Sequence, residues 1–220
     1  MREKVKILMI DDHPSILEGY QLLIEKSGLD YDIHFWKAKS CDQAWEILKT
    51  NERPFHIVLL DICMPPSSKY SFINGEELGI KIRERYTSKI IVLTSLSDEK
   101  RISNILHNVK PDGLIIKTDV TKHTLSKSIS AVLSGNSYLS EKMLKVQSNL
   151  TNSGKDCLDV YDIKILSLLS KGEKTKNLPN YLPFSLSSIE RRKKKIKLYF
   201  GLETNSNYEL LDRAKSHGFI

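Results

Sequence analysis

Four consecutive apolar residues, Ile57-Val58-Leu59-Leu60, run directly into Asp61. A run this short and this apolar reads as a strand buried on both faces, with the acid marking where the chain reaches water. The same pattern recurs on either side. Lys6-Ile7-Leu8-Met9-Ile10 ends in Asp11-Asp12, Ile90-Ile91-Val92-Leu93 ends in Thr94, and Leu114-Ile115-Ile116 ends in Lys117. A weaker alternation covers Ile33 to Trp36. Between these runs, residues 15–26, 41–48, 76–86, 99–108 and 120–134 carry apolar residues at helical spacing. Strands alternating with crossovers long enough for helices specify an α/β fold, (βα)5, with an open parallel sheet and helices on both faces.

In such a sheet, ligands bind outside the carboxyl ends of the strands. Here those ends carry Asp11, Asp12, Asp61, Thr94 and Lys117. Three clustered carboxylates repel one another unless a cation neutralises them. Mg2+ suits that position, because it takes oxygen ligands and keeps several waters. Asp61, lying between a fully apolar strand and Met64-Pro65, is placed to attack a phosphoryl donor and become an acyl phosphate. Lys117 would then balance the phosphoryl oxygens and Thr94 would donate a hydrogen bond to one of them.

Composition excludes several classes. The 220 residues are 40% hydrophobic and 28% charged, which is ordinary for a folded chain and excludes wholesale disorder or fibre. No apolar run reaches the length of a membrane span, and Val5 to Ile10 is too short for a signal core, so a cytoplasmic protein is expected. Cys41, Cys63 and Cys157 form neither a disulfide framework nor a metal-binding spacing and read as reduced thiols.

The charge is uneven. Residues 1–134 hold 19 Lys and Arg against 18 Asp and Glu, whereas residues 135–220 hold 15 against 9. Nearly all of the formal net charge of +7 therefore lies in the last 86 residues, and a polyanion is the natural partner of that half. From Val160 onward the pattern is helical, with helices expected at 160–170, 175–182, 186–199 and 207–217, a small all-α four-helix domain. In the third of these, Ile189, Ile196 and Phe200 form one apolar stripe. Opposite lie Ser187, Glu190, Arg191 and Lys194, flanked by Arg192, Lys193, Lys195 and Lys197. A cationic helix with an apolar back suits the DNA major groove. Arg192, Lys193, Lys195 and Lys197 are assigned to phosphates, and Ser187, Ser188, Glu190, Arg191 and Lys194 to base edges.

Asp11-Asp12-His13-Pro14, Leu60-Asp61-Ile62-Cys63-Met64-Pro65, Thr94-Ser95 and Ile116-Lys117 together resemble the receiver domain of two-component response regulators. Gly172 onward, with Lys176, Leu178, Leu182, Phe184, Ser185, Ser188 and Ile189 at matching positions, resembles the LuxR/NarL-type helix-turn-helix output domain. The resemblance implies three segments: a receiver at 1–134, a short helix and linker at 135–157, and a DNA-binding domain at 158–220. It implies Asp61 as phosphoacceptor, with Asp12, Asp11, Asp61 and the Cys63 backbone carbonyl as Mg2+ ligands. Thr94 is the implied switch hydroxyl and Lys117 the lysine that contacts the phosphoryl group. Lys176 and Ser185 join the DNA-contacting set. The implied partners are a sensor histidine kinase or a small phosphodonor, double-stranded DNA, and a second copy in the active dimer, with no membrane. The implied protein is a transcription regulator and not an enzyme beyond its own phosphorylation and dephosphorylation. The alternative is a phosphorylation-independent DNA-binding regulator whose receiver serves in dimerisation.

The chain departs from the family pattern at four places. Leu114 stands where an aromatic switch residue is usual. Residues 66–74 form an insertion of about six residues beside the phosphoacceptor. Pro179 stands where alanine is common and is expected to bend or shorten the supporting helix, and Glu190 replaces a common lysine.

Overall fold

The computed structural model describes residues 2–51, 54–140, 143–144, 157–203 and 206–220. The amphipathic stretch expected at Glu141 to Val146 lies mostly outside the described residues, and the polar linker at Ser148 to Lys155 lies wholly outside them. The chain divides into two compact units, Met1–Ser95 with Val109–Gln147, and Leu96–Asn108 with Ser148–Ile220.

The first unit is a parallel sheet in the order β2-β1-β3-β4-β5-β6. Its strands are β1 (Glu3–Ile10), β2 (Tyr31–Ala38), β3 (Ile57–Asp61), β4 (Lys89–Thr94), β5 (Gly113–Ile116) and β6 (Tyr138–Leu139). Its helices are α1 (Pro14–Glu25), α2 (Cys41–Thr50), α3 (Gly75–Arg85) and α5 (Lys122–Leu133), while α4 (Glu99–Val109) lies almost wholly in the segment that groups with the second unit. Every residue of β3 and of β5 is buried, as strands with helices on both faces require. Val5, Ile7 and Met9 of β1 join Leu17 and Ile24 of α1 and Leu125 and Ile129 of α5 in one cluster. Each such side chain contributes roughly 2 kcal/mol on full burial.

The sixth strand was not expected. Two residues, paired Gly113 to Tyr138 and Leu114 to Leu139, extend the sheet beyond β5. The Tyr138 amide donates to the Asp112 carbonyl and the Ser140 amide to the Leu114 carbonyl, so an otherwise open edge is partly covered.

Asp112 fastens the opposite end of β5. Its carboxylate accepts from Arg83 at 2.7 Å, Lys89 at 3.1 Å and the Ile90 amide at 2.9 Å. Burial raises its pKa, but these donors outweigh burial and hold it below the ordinary carboxylate value.

The insertion is folded against α2. Phe72, 5% exposed, packs edge-on to Trp45 with ring centroids 5.5 Å apart. Asp42 collects the polar groups of the same segment, accepting from the Ser67 hydroxyl, the Ser68 amide and hydroxyl at 3.0 Å, and the Lys69 amide at 3.1 Å. Against desolvation, these bonds lower the Asp42 pKa to about 2.

In the second unit, α6 (Val160–Ser170), α7 (Leu186–Tyr199) and α8 (Asn207–Ser216) pack around Ile163, Leu166, Ile189, Ile196 and Leu210. Asp159 caps α6 and Ser185 caps α7, each accepting from backbone amides of the first turn. The expected helix at 175–182 is instead a 3-10 helix, Thr175–Asn180, with Pro179 inside it. Proline has no amide hydrogen and clashes with the carbonyl four residues back, so an α-helix cannot continue through it. Residues 96–108 group with this unit. Asn104 there bonds both the Leu158 amide (2.8 Å) and carbonyl (3.0 Å), and the Arg101 guanidinium donates to the Gly218 carbonyl at 3.0 Å.

Two outcomes follow from these anchors. Asp112→Ala leaves Arg83, Lys89 and the Ile90 amide without their shared acceptor, and urea unfolding should show a loss of about 2 kcal/mol. Asp42→Ala should speed amide exchange at Ser68 and Lys69 at least tenfold while exchange in β1 and β3 is unchanged. The contribution of Asp42 is complete above its ordinary pKa and is lost as pH falls through its lowered value. Wild-type protection of these amides should therefore persist at about pH 3 and vanish nearer pH 2.

Candidate functional site

The strand order reverses between β1 and β3, which is where a crevice opens at the carboxyl ends of a parallel sheet. Ile10 pairs with Leu60, so Asp11 and Asp61, the next residue of each chain segment, emerge side by side. Thr94 pairs with Ile116, which places Lys117 just beyond it. Lys117 Nζ donates to Asp11 Oδ2 and to Asp61 Oδ2, both at 2.7 Å. The second oxygen of each acid takes a backbone amide, His13 N on Asp11 Oδ1 and Cys63 N on Asp61 Oδ1, both at 2.9 Å.

Asp11 and Asp61 are almost fully buried, at 1% and 3% exposure. Desolvation raises the Asp61 pKa, opposed by the hydrogen bonds from Lys117 and Cys63. Burial alone would lower the Lys117 pKa. Its two carboxylate partners more than reverse this, so it is raised and the ammonium is held charged. The three groups form one hydrogen-bonded set at the mouth of the sheet, two carboxylates to one ammonium, which leaves one negative charge for a further cation to meet.

Asp12 stands at the rim. Ligand atoms of Asp11, Asp12 and His13 lie within 4.8 Å of one another, and Asp12 Oδ1 is buried without a hydrogen bond although His13 Nδ1 is 3.0 Å away. An oxygen-rich pair of acids with one unsatisfied carboxylate oxygen fits a hard divalent cation. Thr94 is fully buried at the end of β4. Leu114 is also fully buried, paired with Val92 on one side and Leu139 on the other, so it lies inside the sheet and not at its rim.

Gly75 supports the site, and sequence reasoning saw it only as the end of the insertion. A Cβ there would lie 1.9 Å from the Asp61 carbonyl oxygen, so only glycine lets α3 begin against the end of β3. The available signal was Asn74-Gly75 ahead of a helix: Asn74 is the cap, accepting from the Glu77 amide. Gly75→Ala should cost about 3 kcal/mol in denaturant unfolding. Gly19→Ala, whose Cβ meets nothing within 4 Å in mid-α1, should instead stabilise by roughly 0.5 to 1 kcal/mol.

The basic helix α7 presents two kinds of cation. Ser187, Glu190, Arg191, Lys194 and Lys195 are exposed, as is Lys176 on the 3-10 helix before it, while Lys197 is half-buried. The capping Ser185 is exposed and Ser188 half-buried. Arg192 and Lys193, both assigned to phosphates from sequence, turn inward. Lys193 is 7% exposed and donates to Thr175 Oγ1 at 2.9 Å. Arg192 donates to Asp159 Oδ2 at 2.8 Å and to Asp162 Oδ1 at 2.7 Å. The reason is geometric: a step of 100° per residue cannot keep a run of five cations on one face, so its middle members sweep onto neighbouring elements.

The chain is 27% identical over 223 residues to "Transcriptional regulatory protein MctR" of Rhizobium johnstonii, an alignment covering all of this chain and 97% of the relative. It is 26% identical to "Oxygen regulatory protein NreC" of Staphylococcus aureus, covering 96% of each. A solved structure of RcsB from Salmonella enterica serovar Typhimurium, bound to promoter rprA with a phosphomimetic beryllium fluoride, superposes with a TM-score of 0.70. It is 20% identical and covers 97% of this chain and 99% of that one, a likeness of fold. Another RcsB structure, bound to promoter P1flhDC, gives 0.69 at 22% identity. Residues 7–129 match the response regulator receiver domain, more than half the chain and the whole of the crevice described above, and the chain belongs to that family.

Proposed function

We propose that this chain is a two-component response regulator in which Asp61 accepts a phosphoryl group and α7 reads double-stranded DNA. The observation that carries the first half is the set Asp11–Lys117–Asp61, two buried carboxylates joined at 2.7 Å by one half-buried ammonium where the sheet opens. Asp61 Oδ2 attacks the donor phosphorus as the bond to the leaving group breaks, and an acyl phosphate remains on the protein. The donor is the phosphohistidine of a sensor kinase or a small acyl phosphate. Lys117 leaves its bond to Asp61 and meets a phosphoryl oxygen, staying near Asp11. Asp11, Asp12, Asp61 and the Cys63 carbonyl are the groups that would hold Mg2+. That ion supplies further positive charge against the phosphoryl oxygens.

Phosphorylation adds charge and acceptors next to Thr94, whose hydroxyl is the nearest switch element on β4. Leu114 cannot exchange a phenol between core and solvent. The shift in population therefore runs through β4 and the covered edge of β5, without an aromatic rotamer. The second half of the reading rests on the exposed Arg191 and Lys194 of α7, and on the DNA-bound state of the RcsB structures with the same fold. A dimer would set two such helices in successive major grooves.

The test compares wild type with Asp61→Asn, with and without acetyl phosphate and Mg2+. Wild type should gain the mass of one phosphoryl group, self-associate and bind duplex DNA more tightly, and Asp61→Asn should do none of these. Removing Mg2+ with a chelator should abolish the mass gain. DNA binding that is the same in both proteins, with no phosphoryl uptake, would establish the phosphorylation-independent regulator instead.

A further inference from the structure

The cationic run Arg191-Arg192-Lys193-Lys194-Lys195 looks uniform in sequence, and the structure divides it. Asp162, on the first turn of α6, is completely buried, and a buried carboxylate needs charged or hydrogen-bonded partners to stay ionised. Its Oδ1 accepts from Arg192 at 2.7 Å. Its Oδ2 accepts from Lys195 at 2.7 Å and from the Asp159 amide at 3.1 Å. Asp159 completes a reciprocal capping box, accepting from the Tyr161 and Asp162 amides at 2.9 and 3.0 Å, and its second oxygen takes Arg192 at 2.8 Å.

The same guanidinium lies 4.6 Å over the Phe184 ring and 5.7 Å from the Tyr161 ring, and those two rings meet edge-to-face at 5.0 Å. Arg192 is thus held by two acids on α6 and by an aromatic pair that spans α6 and the turn before α7. Against burial, Arg192 holds the Asp159 pKa below its ordinary value, and the acids in turn raise that of Arg192.

We propose that Arg192 is a positioning residue, which fixes the angle of α7 on α6 and so aims the DNA-reading face, and that it is not a phosphate contact. This rests on the DNA-binding reading above. The outward cations Arg191 and Lys194 carry the contact with DNA. The Phe184 contact explains why a lysine would not serve here. An ammonium can meet two carboxylates, but it has no flat face to lie over the ring.

The test is equilibrium binding of the full chain to a mixed-sequence DNA duplex over a range of potassium chloride concentrations, and to a duplex selected by the wild-type chain from a randomised pool. Lys194→Gln should flatten the slope of log K against log salt by about 0.9, the loss of one phosphate contact. Arg192→Gln should leave that slope unchanged and lower the preference for the selected duplex at least tenfold. Arg192→Lys should lose the same preference, although its charge is kept. The proposal is overturned if Arg192→Gln flattens the slope as Lys194→Gln does, or if Arg192→Lys retains wild-type preference. The lysine variant decides the matter even where the glutamine variant fails to fold. A wild-type chain that binds neither duplex would refute the DNA-binding reading and this proposal with it, a result separate from any change in slope.

Discussion

Two carboxylates buried side by side in a sheet crevice are unstable unless a cation sits between them. Lys117 is that cation, within 2.7 Å of both Asp11 and Asp61. The rest of the first unit is arranged around this constraint. The β1 and β3 register brings the two acids level, and β5 ends one residue before the ammonium. Gly75 removes the side chain that would otherwise push α3 away from the Asp61 carbonyl. A phosphoacceptor needs an ionised, accessible oxygen in a poorly hydrated place. On the proposed reading, one lysine offsets part of the cost of burying the acid without blocking it permanently, because a single salt bridge can be exchanged for a bond to an incoming phosphoryl oxygen.

Much of this was readable before any coordinates. The apolar runs ending in Asp61, Thr94 and Lys117 carry their own burial signal, because a strand covered on both faces tolerates no polar residue until it emerges. The helices at Val160–Ser170 and Leu186–Tyr199 were likewise announced by periodicity. Two elements were not readable. Tyr138-Leu139 is too short for any periodicity, and it is a strand only because β5 offers it an unpaired edge. The 175–182 segment kept a helical pattern of apolar residues, but Pro179 decided which helix geometry it takes.

The site shows the same division. Asp11, Asp12, Asp61, Thr94 and Lys117 announced themselves by position at strand ends. Gly75 was silent because its role is an absence, the space left for another segment's carbonyl. The basic run divides in a way its sequence does not show. Sequence counts charge but does not say which way each side chain points, and Arg192 and Lys193 spend theirs inside the domain. Their acceptors Asp162 and Thr175 are far away in the chain, so no local pattern links them.

Burial of those two cations changes how the helix is felt from a distance. Paired or sunken charge contributes little to the potential outside a protein, since the field of each ion is cancelled by its partner within a few ångströms. The formal net charge of +7 already counts each such pair as zero, so what pairing changes is where the excess positive charge lies and not how much of it there is. On the DNA-binding reading proposed above, the exposed Arg191 and Lys194 on one face of α7 would steer an approaching polyanion, so that the first encounter arrives already oriented.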